Sequence, residues 1–66
     1  MRIVVNGESR EVEEGLTLAG LLDALGIRRR FTGVALNREV ARRDSYAATV
    51  LREGDRVEIV HPMAGG

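Results

Sequence analysis

A chain of 66 residues has room for one domain, because a protein this small buries only about 60% of its unfolded surface. Ten arginines balance ten acidic residues, and the resulting zero net charge argues against a nucleic-acid partner. The sequence contains no cysteine, which excludes disulfides, thiolate metal ligands and a cysteine nucleophile.

Residues 1–14 are predicted to form a β-hairpin. Ile3 and Val5 alternate with their neighbours, as the inward positions of a strand do. Asn6-Gly7 is a strong signal for a two-residue turn, since both residue types tolerate positive φ. The second strand is expected over residues 9–13. The apolar run at the start is too short for a signal peptide or a membrane span, so a cytoplasmic location and no membrane partner are expected.

The next segment predicts an α-helix that begins after an N-cap at Thr17 and ends at Gly26. Four leucines at spacings of three and four residues share one face of this helix, and they are Leu18, Leu21, Leu22 and Leu25. Gly20 costs about 1 kcal/mol relative to alanine inside a helix. We therefore expect the helix to pack closely against a sheet at Gly20.

Short strands and turns are predicted for the rest of the domain. Arg28–Arg30 is expected in a loop and could face an acidic patch on a partner, and strands follow at residues 33–37 and 40–41. Asp44 or Ser45 could cap a short helical turn whose apolar residues are Tyr46, Ala47, Val50 and Leu51. A turn at residues 53–55 leads into a last strand over residues 56–60.

These elements predict an α+β domain in which a mixed sheet of four to five strands carries one main helix across one face. The leucine face of the helix needs an apolar partner. The sheet positions expected to supply it are Ile3, Val5, Leu36, Val57 and Ile59. Tyr46 is also expected to pack in the core.

A tail is predicted after Val60, where the apolar alternation stops. Pro62 lacks an N–H, and Gly65 and Gly66 lack side chains, so the segment 61–66 is unsuited to a central strand. We therefore divide the chain into a folded domain over residues 1–60 and a flexible tail over residues 61–66. Six extended residues span at most about 20 Å, which lets the last residue project beyond the domain.

The Gly65-Gly66 end has a chemistry of its own. A carboxylate becomes a good electrophile once it is adenylated, and a backbone without Cβ atoms fits a narrow channel in another protein's ATP site. Sulfide or a persulfide could then displace AMP and leave a nucleophilic thiocarboxylate on Gly66. The competing interpretation is a frayed terminus, because glycines are common at chain ends.

Several segments form a specific pattern through their order and spacing, namely 5–8, 17–22, 34–37, 39–40, 43, 46–47, 49–51, 53–60 and 65–66. In this pattern the chain resembles, over essentially its whole length, the ThiS family of thiamin-biosynthesis sulfur carriers, which have the ubiquitin-like β-grasp fold. The resemblance implies a mixed sheet whose first and last strands are parallel neighbours. It also implies a helix across that sheet and a free C-terminal tail.

The resemblance further implies that the protein is a cosubstrate and not an enzyme, with no catalytic residue, no metal site and no stably bound cofactor of its own. An adenylating enzyme of the ThiF type would use ATP to activate Gly66, and a sulfur donor such as a cysteine desulfurase would convert it to a thiocarboxylate. Thiazole synthase of the ThiG type would accept the sulfur. Gly65, Ala64, Met63 and Pro62 would bind in the channel of the partner, and the carrier itself is expected to be a monomer.

Two departures from the family pattern keep alternatives open. Arg42 and Tyr46 stand where the family usually has proline and tryptophan. The segment 62–66 also resembles the end of the small subunit of molybdopterin synthase, a carrier of the same fold. A molybdopterin carrier or another thiocarboxylate donor is therefore the alternative within this chemistry. A ubiquitin-like protein modifier and a structural binding module are the alternatives from other classes.

Overall fold

Five strands form a single mixed sheet in the computed structural model, which describes residues 1–28 and 32–60. The order across the sheet is β2-β1-β5-β3-β4. The strands are β1 (Arg2–Val5), β2 (Glu8–Glu11), β3 (Gly33–Leu36), β4 (Glu39–Val40) and β5 (Arg56–Val60). β1 and β5 are parallel neighbours at the centre, and every other pairing is antiparallel. With helix α1 (Leu18–Ala24) and a 3₁₀ helix (Arg43–Ala48) added, the predicted α+β class and the β-grasp arrangement are confirmed.

The first hairpin has the predicted two-residue turn. Asn6 and Gly7 have φ angles of 50° and 85°, as a type I′ turn requires. This tight turn places Glu8 directly opposite Val5, so β2 begins one residue earlier than predicted. β2 also ends earlier than predicted, at Glu11 opposite Arg2, the first residue of β1. Beyond this pair the Val12 N–H donates to the Met1 carbonyl at 2.8 Å and the Met1 amine donates to the Val12 carbonyl at 2.7 Å.

Helix α1 begins and ends through the signals seen in the sequence. The Thr17 hydroxyl accepts a hydrogen bond from the Gly20 N–H at 3.0 Å, which satisfies one of the free donors of the first turn. At the other end Gly26 has a φ of 72°, and the Ile27 N–H donates to the Leu22 carbonyl at 2.9 Å, which is a Schellman motif. Leu25 is the C-cap of the helix and is only partly buried.

The explanation predicted for Gly20 is wrong. A Cβ atom at this position would lie 3.0 Å from the Leu16 Cδ1 atom and 3.3 Å from the Thr17 hydroxyl oxygen. The close approach is therefore to the residues just before the helix, because Leu16 folds back over the first turn. The sheet supplies none of the three nearest contacts.

The core lies between α1 and the inner face of the sheet. It contains all but two of the predicted members, since Leu25 and Leu36 are only partly buried. Ala19, Val34, Tyr46 and Leu51 complete the buried cluster, whose other members are Ile3, Val5, Leu18, Leu21, Leu22, Val57 and Ile59. The core position predicted for Tyr46 is thus confirmed.

The segment between β4 and β5 differs from the predicted helical turn. Its N-cap is Arg42, without a side-chain cap, rather than Asp44 or Ser45. The 3₁₀ helix ends at Ala48, so Val50 lies beyond it, forms an isolated β-bridge with Thr17 and is 52% exposed. Ala47 is exposed as well. A 3₁₀ helix has three residues per turn, and in this one Tyr46 faces the core whereas Ala47 faces solvent.

Candidate functional site

The residues predicted to carry or guide the sulfur are Pro62, Met63, Ala64, Gly65 and Gly66, and they lie outside the described residues. Two members of the Arg28–Arg30 run lie outside them too. The predicted tail follows directly on β5, which is described through Val60. The described part of the candidate site is the strand that leads into the predicted tail, together with the groups that hold this strand.

β5 is fixed on both sides because it lies in the middle of the sheet. On one side Val4 and Val5 of β1 pair with Arg56 and Val57 in parallel. On the other side β3 pairs antiparallel with β5 along its length, from Leu36 opposite Val57 to Gly33 opposite Val60. The last described residue is thus still opposite a neighbouring strand. β1 turns away earlier, at Asn6.

Asn6 continues the contact with β5 where β1 ends. Its backbone N–H donates to the Val57 carbonyl at 2.9 Å. Its side-chain Oδ1 accepts from the Ile59 N–H at 2.7 Å. The Ile59 N–H is therefore paired although no strand residue of β1 lies beside it.

Asn37 makes the corresponding contacts at the start of β5. Its backbone N–H donates to the Arg56 carbonyl at 2.8 Å, and its Oδ1 accepts from the Arg56 N–H at 2.9 Å. The Asn37 side-chain amide also donates to the Asp55 carboxylate at 3.1 Å, which fixes its orientation. Both asparagines occupy the first position of a two-residue hairpin turn, with φ angles of 50° and 52°. One asparagine therefore holds each end of β5.

Sequence reasoning identified Asn6 only as a turn residue and placed Asn37 inside a strand. The available signal was a repeated pattern, Val5-Asn6-Gly7-Glu8 and Leu36-Asn37-Arg38-Glu39, in which an apolar residue precedes asparagine. The first copy predicts a hairpin, whereas the second is predicted as the end of a strand. Arg38 in the glycine position of the second turn concealed the similarity.

The outer face of the sheet, opposite α1, carries charged and apolar side chains. Val57 and Ile59 of β5 point into the core, whereas Arg56, Glu58 and Val60 point outward. Val60 is 65% exposed, and Val40 on the edge strand β4 is 84% exposed. Val60, the last residue of β5, therefore presents apolar surface beside the start of the predicted tail.

The described residues show no internal catalytic machinery. Within residues 1–28 and 32–60 there is no group of three or more histidine, cysteine, aspartate or glutamate side chains able to hold a metal ion. A surface depression of about 550 Å³ between β3, β4 and the 3₁₀ helix has Arg42, Arg43 and Asp44 as its charged lining residues. These side chains form no nucleophile–base pair. No helix in the described part of the chain is long and apolar enough to cross a membrane.

Among the described residues, the Glu11 carboxyl has a shifted pKa, but it lies far from the end of β5. The hydrogen bond from the Arg2 guanidinium, with the charge of the Met1 amine second, holds the pKa of Glu11 below its ordinary value. Arg2 begins β1, and β1 runs parallel to β5, so this exposed ion pair lies near the opposite end of the sheet from Val60. It is a surface contact outside the candidate site.

Comparison with known proteins gives one consistent result. The model of the ThiS family matches residues 3–66. A sulfur carrier protein ThiS from Thermus thermophilus is 39% identical over 62 residues, covering 94% of this chain and 95% of the relative. A thiazole synthase from Magnetococcus marinus is 44% identical over the whole chain, which spans about a fifth of the length of the curated thiazole synthases that it matches. The crystal structure of a thiamine biosynthesis protein (ThiS) from Geobacter metallireducens has a TM-score of 0.86 and 38% identity, with each chain covered completely.

Proposed function

Because this chain belongs to the ThiS family, we propose that it is a sulfur carrier of thiamin biosynthesis that holds sulfur as a thiocarboxylate on Gly66. The observation that carries the proposal is the extent of the family match, which continues past the folded domain to residue 66 and includes Gly65 and Gly66. Residues 1–60 are the folded domain in this proposal, and residues 61–66 are the flexible tail. The protein is a carrier whose group other enzymes modify, and not a catalyst.

The proposed chemistry begins with the carboxylate of Gly66. A carboxylate oxygen attacks the α-phosphorus of ATP on an adenylating enzyme, which releases pyrophosphate and leaves an acyl-adenylate. Sulfide then attacks the acyl carbon, the C–S bond forms and AMP leaves. If the donor is a persulfide, such as one made by a cysteine desulfurase, the first product is an acyl disulfide. A second thiol reduces it to the thiocarboxylate and is itself oxidised to a disulfide.

The length and composition of the tail are suited to modification of Gly66 by another enzyme. Six residues span at most about 20 Å when extended, so Gly66 can enter a partner's ATP site while the domain remains outside. Gly65 has no side chain to block a narrow channel, and Ala64, Met63 and Pro62 would contact the channel wall. ATP is used by the adenylating enzyme, and the carrier binds no cofactor stably.

Thiazole synthase is the proposed acceptor of the sulfur. Its support comes from relatives named thiazole synthase, each of which contains a stretch similar to this entire chain. A carrier and an acceptor encoded in one polypeptide act at a high effective concentration. The relatives thus favour the thiamin pathway over the molybdopterin pathway, which the residues 62–66 alone left open.

Intact-mass measurement tests the proposal directly. The protein is incubated with its cognate adenylating enzyme, ATP and a sulfide or persulfide source. We expect the mass to rise by the difference between one sulfur and one oxygen atom, and fragmentation should place the change on Gly66. A matched variant lacking Gly65 and Gly66 should stay unchanged.

Three results would contradict the proposed function. Sulfur on any other residue would exclude the thiocarboxylate. Loading only by the activating enzyme of the molybdopterin pathway would assign the carrier to that pathway. A ladder of larger conjugates that disappears without Gly66 would indicate a protein modifier.

A further inference from the structure

We propose that Asn6 is a positioning residue for sulfur loading, because its side chain holds the end of β5 from which the tail starts. This inference rests on the proposed function of the tail. It concerns only described residues, since Asn6, Val57 and Ile59 all have defined contacts.

A parallel pair of strands has a regular hydrogen-bond pattern. In such a pair the N–H of a residue donates to the carbonyl of residue j on the neighbouring strand. The carbonyl of the same residue accepts a hydrogen bond from the N–H of residue j+2. Asn6 donates to Val57, so a continued ladder would have its backbone carbonyl accept from Ile59. The chain leaves β1 at Asn6, where φ is 50°, and the carbonyl is turned away.

The side chain of Asn6 replaces that carbonyl. Its Oδ1 accepts from the Ile59 N–H at 2.7 Å, at a partly buried position. Ile59 itself is only 6% exposed, so losing this acceptor would leave its N–H poorly hydrated. The β1 side of β5 is therefore held two residues beyond Val57, almost to the point where the predicted tail starts.

Holding the end of β5 lowers the conformational entropy that is lost when the tail binds a partner. A tail that starts from a fixed strand end loses less conformational freedom on entering a partner's channel than one whose last strand residues are also loose. Without Asn6 Oδ1, the end of β5 would be held on one side only, by β3 through the pairing of Val60 with Gly33. Asn6 should thus lower the KM for the carrier in adenylation and leave kcat almost unchanged.

The two asparagines offer a matched comparison. Asn37 uses its Oδ1 in the same way, also from a turn with positive φ, but it holds the Arg56 N–H at the other end of β5. Asn6→Gly and Asn37→Gly both keep a residue suited to the turn, and both remove one acceptor from β5. Only Asn6→Gly loosens the end next to the tail. Asn6→Asp retains an acceptor oxygen and serves as the conservative variant.

The experiment measures steady-state adenylation of the full chain by the cognate adenylating enzyme with each carrier variant as substrate. We expect Asn6→Gly to raise KM about two- to tenfold, with kcat within roughly twofold of the parent protein. Asn6→Asp and Asn37→Gly should keep the parent KM. Amide hydrogen exchange gives an independent readout, because Asn6→Gly should speed exchange at Ile59 and Asn37→Gly at Arg56.

Each outcome bears on the inference separately from the proposed function. Equal KM values for Asn6→Gly and Asn37→Gly would show that the effect is one of general stability and would overturn the positioning role. So would an Asn6→Asp variant as poor as Asn6→Gly, or an unchanged exchange rate at Ile59 in Asn6→Gly. Failure of the parent protein to be adenylated at all would instead overturn the proposed function.

Discussion

Replacing Arg38 with glycine should stabilise the domain. Arg38 has a φ of 72° at the second position of the β3–β4 turn, where Gly7 has a φ of 85° in the β1–β2 turn. The left-handed conformation costs a residue with a Cβ about 1 to 2 kcal/mol. Glycine removes that cost but gains freedom in the unfolded chain, which offsets about 0.5 to 1 kcal/mol. The net gain is about 0.5 to 1 kcal/mol, or a rise in Tm of roughly 2 to 8 °C.

Gly7→Ala is the mirror experiment. A Cβ on Gly7 would meet nothing within 4 Å, so the backbone conformation alone should determine the effect. The cost of the left-handed conformation and the freedom of glycine in the unfolded chain now act with opposite signs. Together they predict that Gly7→Ala lowers the free energy of unfolding by about 0.5 to 1 kcal/mol. Thermal melts followed by circular dichroism, supported by urea denaturation, measure both variants. If Gly7→Ala destabilises while Arg38→Gly does not stabilise, the arginine side chain makes a contact that outweighs its backbone strain, and the reasoning fails.

Two further predictions concern the core and a surface ion pair. Leu22→Ala should lower the free energy of unfolding by about 2 to 5 kcal/mol because Leu22 is fully buried, whereas Val40→Ala, at a position 84% exposed, should change the thermal melt little. An unaltered melt for Leu22→Ala would contradict the packing of α1. The Arg2→Ala variant should raise the pKa of Glu11 toward its ordinary value in an NMR titration. Because the pKa of Glu11 is lower in the folded than in the unfolded protein, the ion pair stabilises the folded state at pH values above the unfolded pKa. This stabilisation is lost as the pH falls through the folded pKa. If the pKa of Glu11 is unchanged in Arg2→Ala, the Arg2 hydrogen bond is not the main cause of the shift.

The sequence predicted those elements whose signals are local. Asn6-Gly7 indicated a tight turn, Thr17 and Gly26 marked the ends of α1, and the alternation at Val57 and Ile59 identified the inward face of β5. Each depends on backbone conformation or on a periodicity of a few residues. The parallel pairing of β1 with β5 came from the family resemblance, since no local pattern reports a contact between residues some fifty positions apart.

The predictions that were wrong concern features that depend on contacts outside the local sequence. The helical spacing predicts a turn that continues to Val50, but the 3₁₀ helix ends at Ala48 and the extended segment after it exposes that valine. The sheet contact predicted for Gly20 is wrong because the position of Leu16 over the first turn depends on tertiary packing, which no local pattern reports. At the candidate site, the acceptor role of Asn6 could not be predicted, since it requires knowing which strand lies beside the turn.

The central position of β5 has a consequence for how the protein is made. The middle strand of the sheet, β5, is the last of the five in chain order, and its parallel neighbour β1 is the first. A growing chain on the ribosome therefore exposes β1 without its inner neighbour until residues 56–60 have left the exit tunnel. Contacts of such long sequence separation slow folding, and the hydrophobic edge of β1 stays open meanwhile. The sheet can therefore close only once β5, the last of its five strands, is available to pair with β1 and β3.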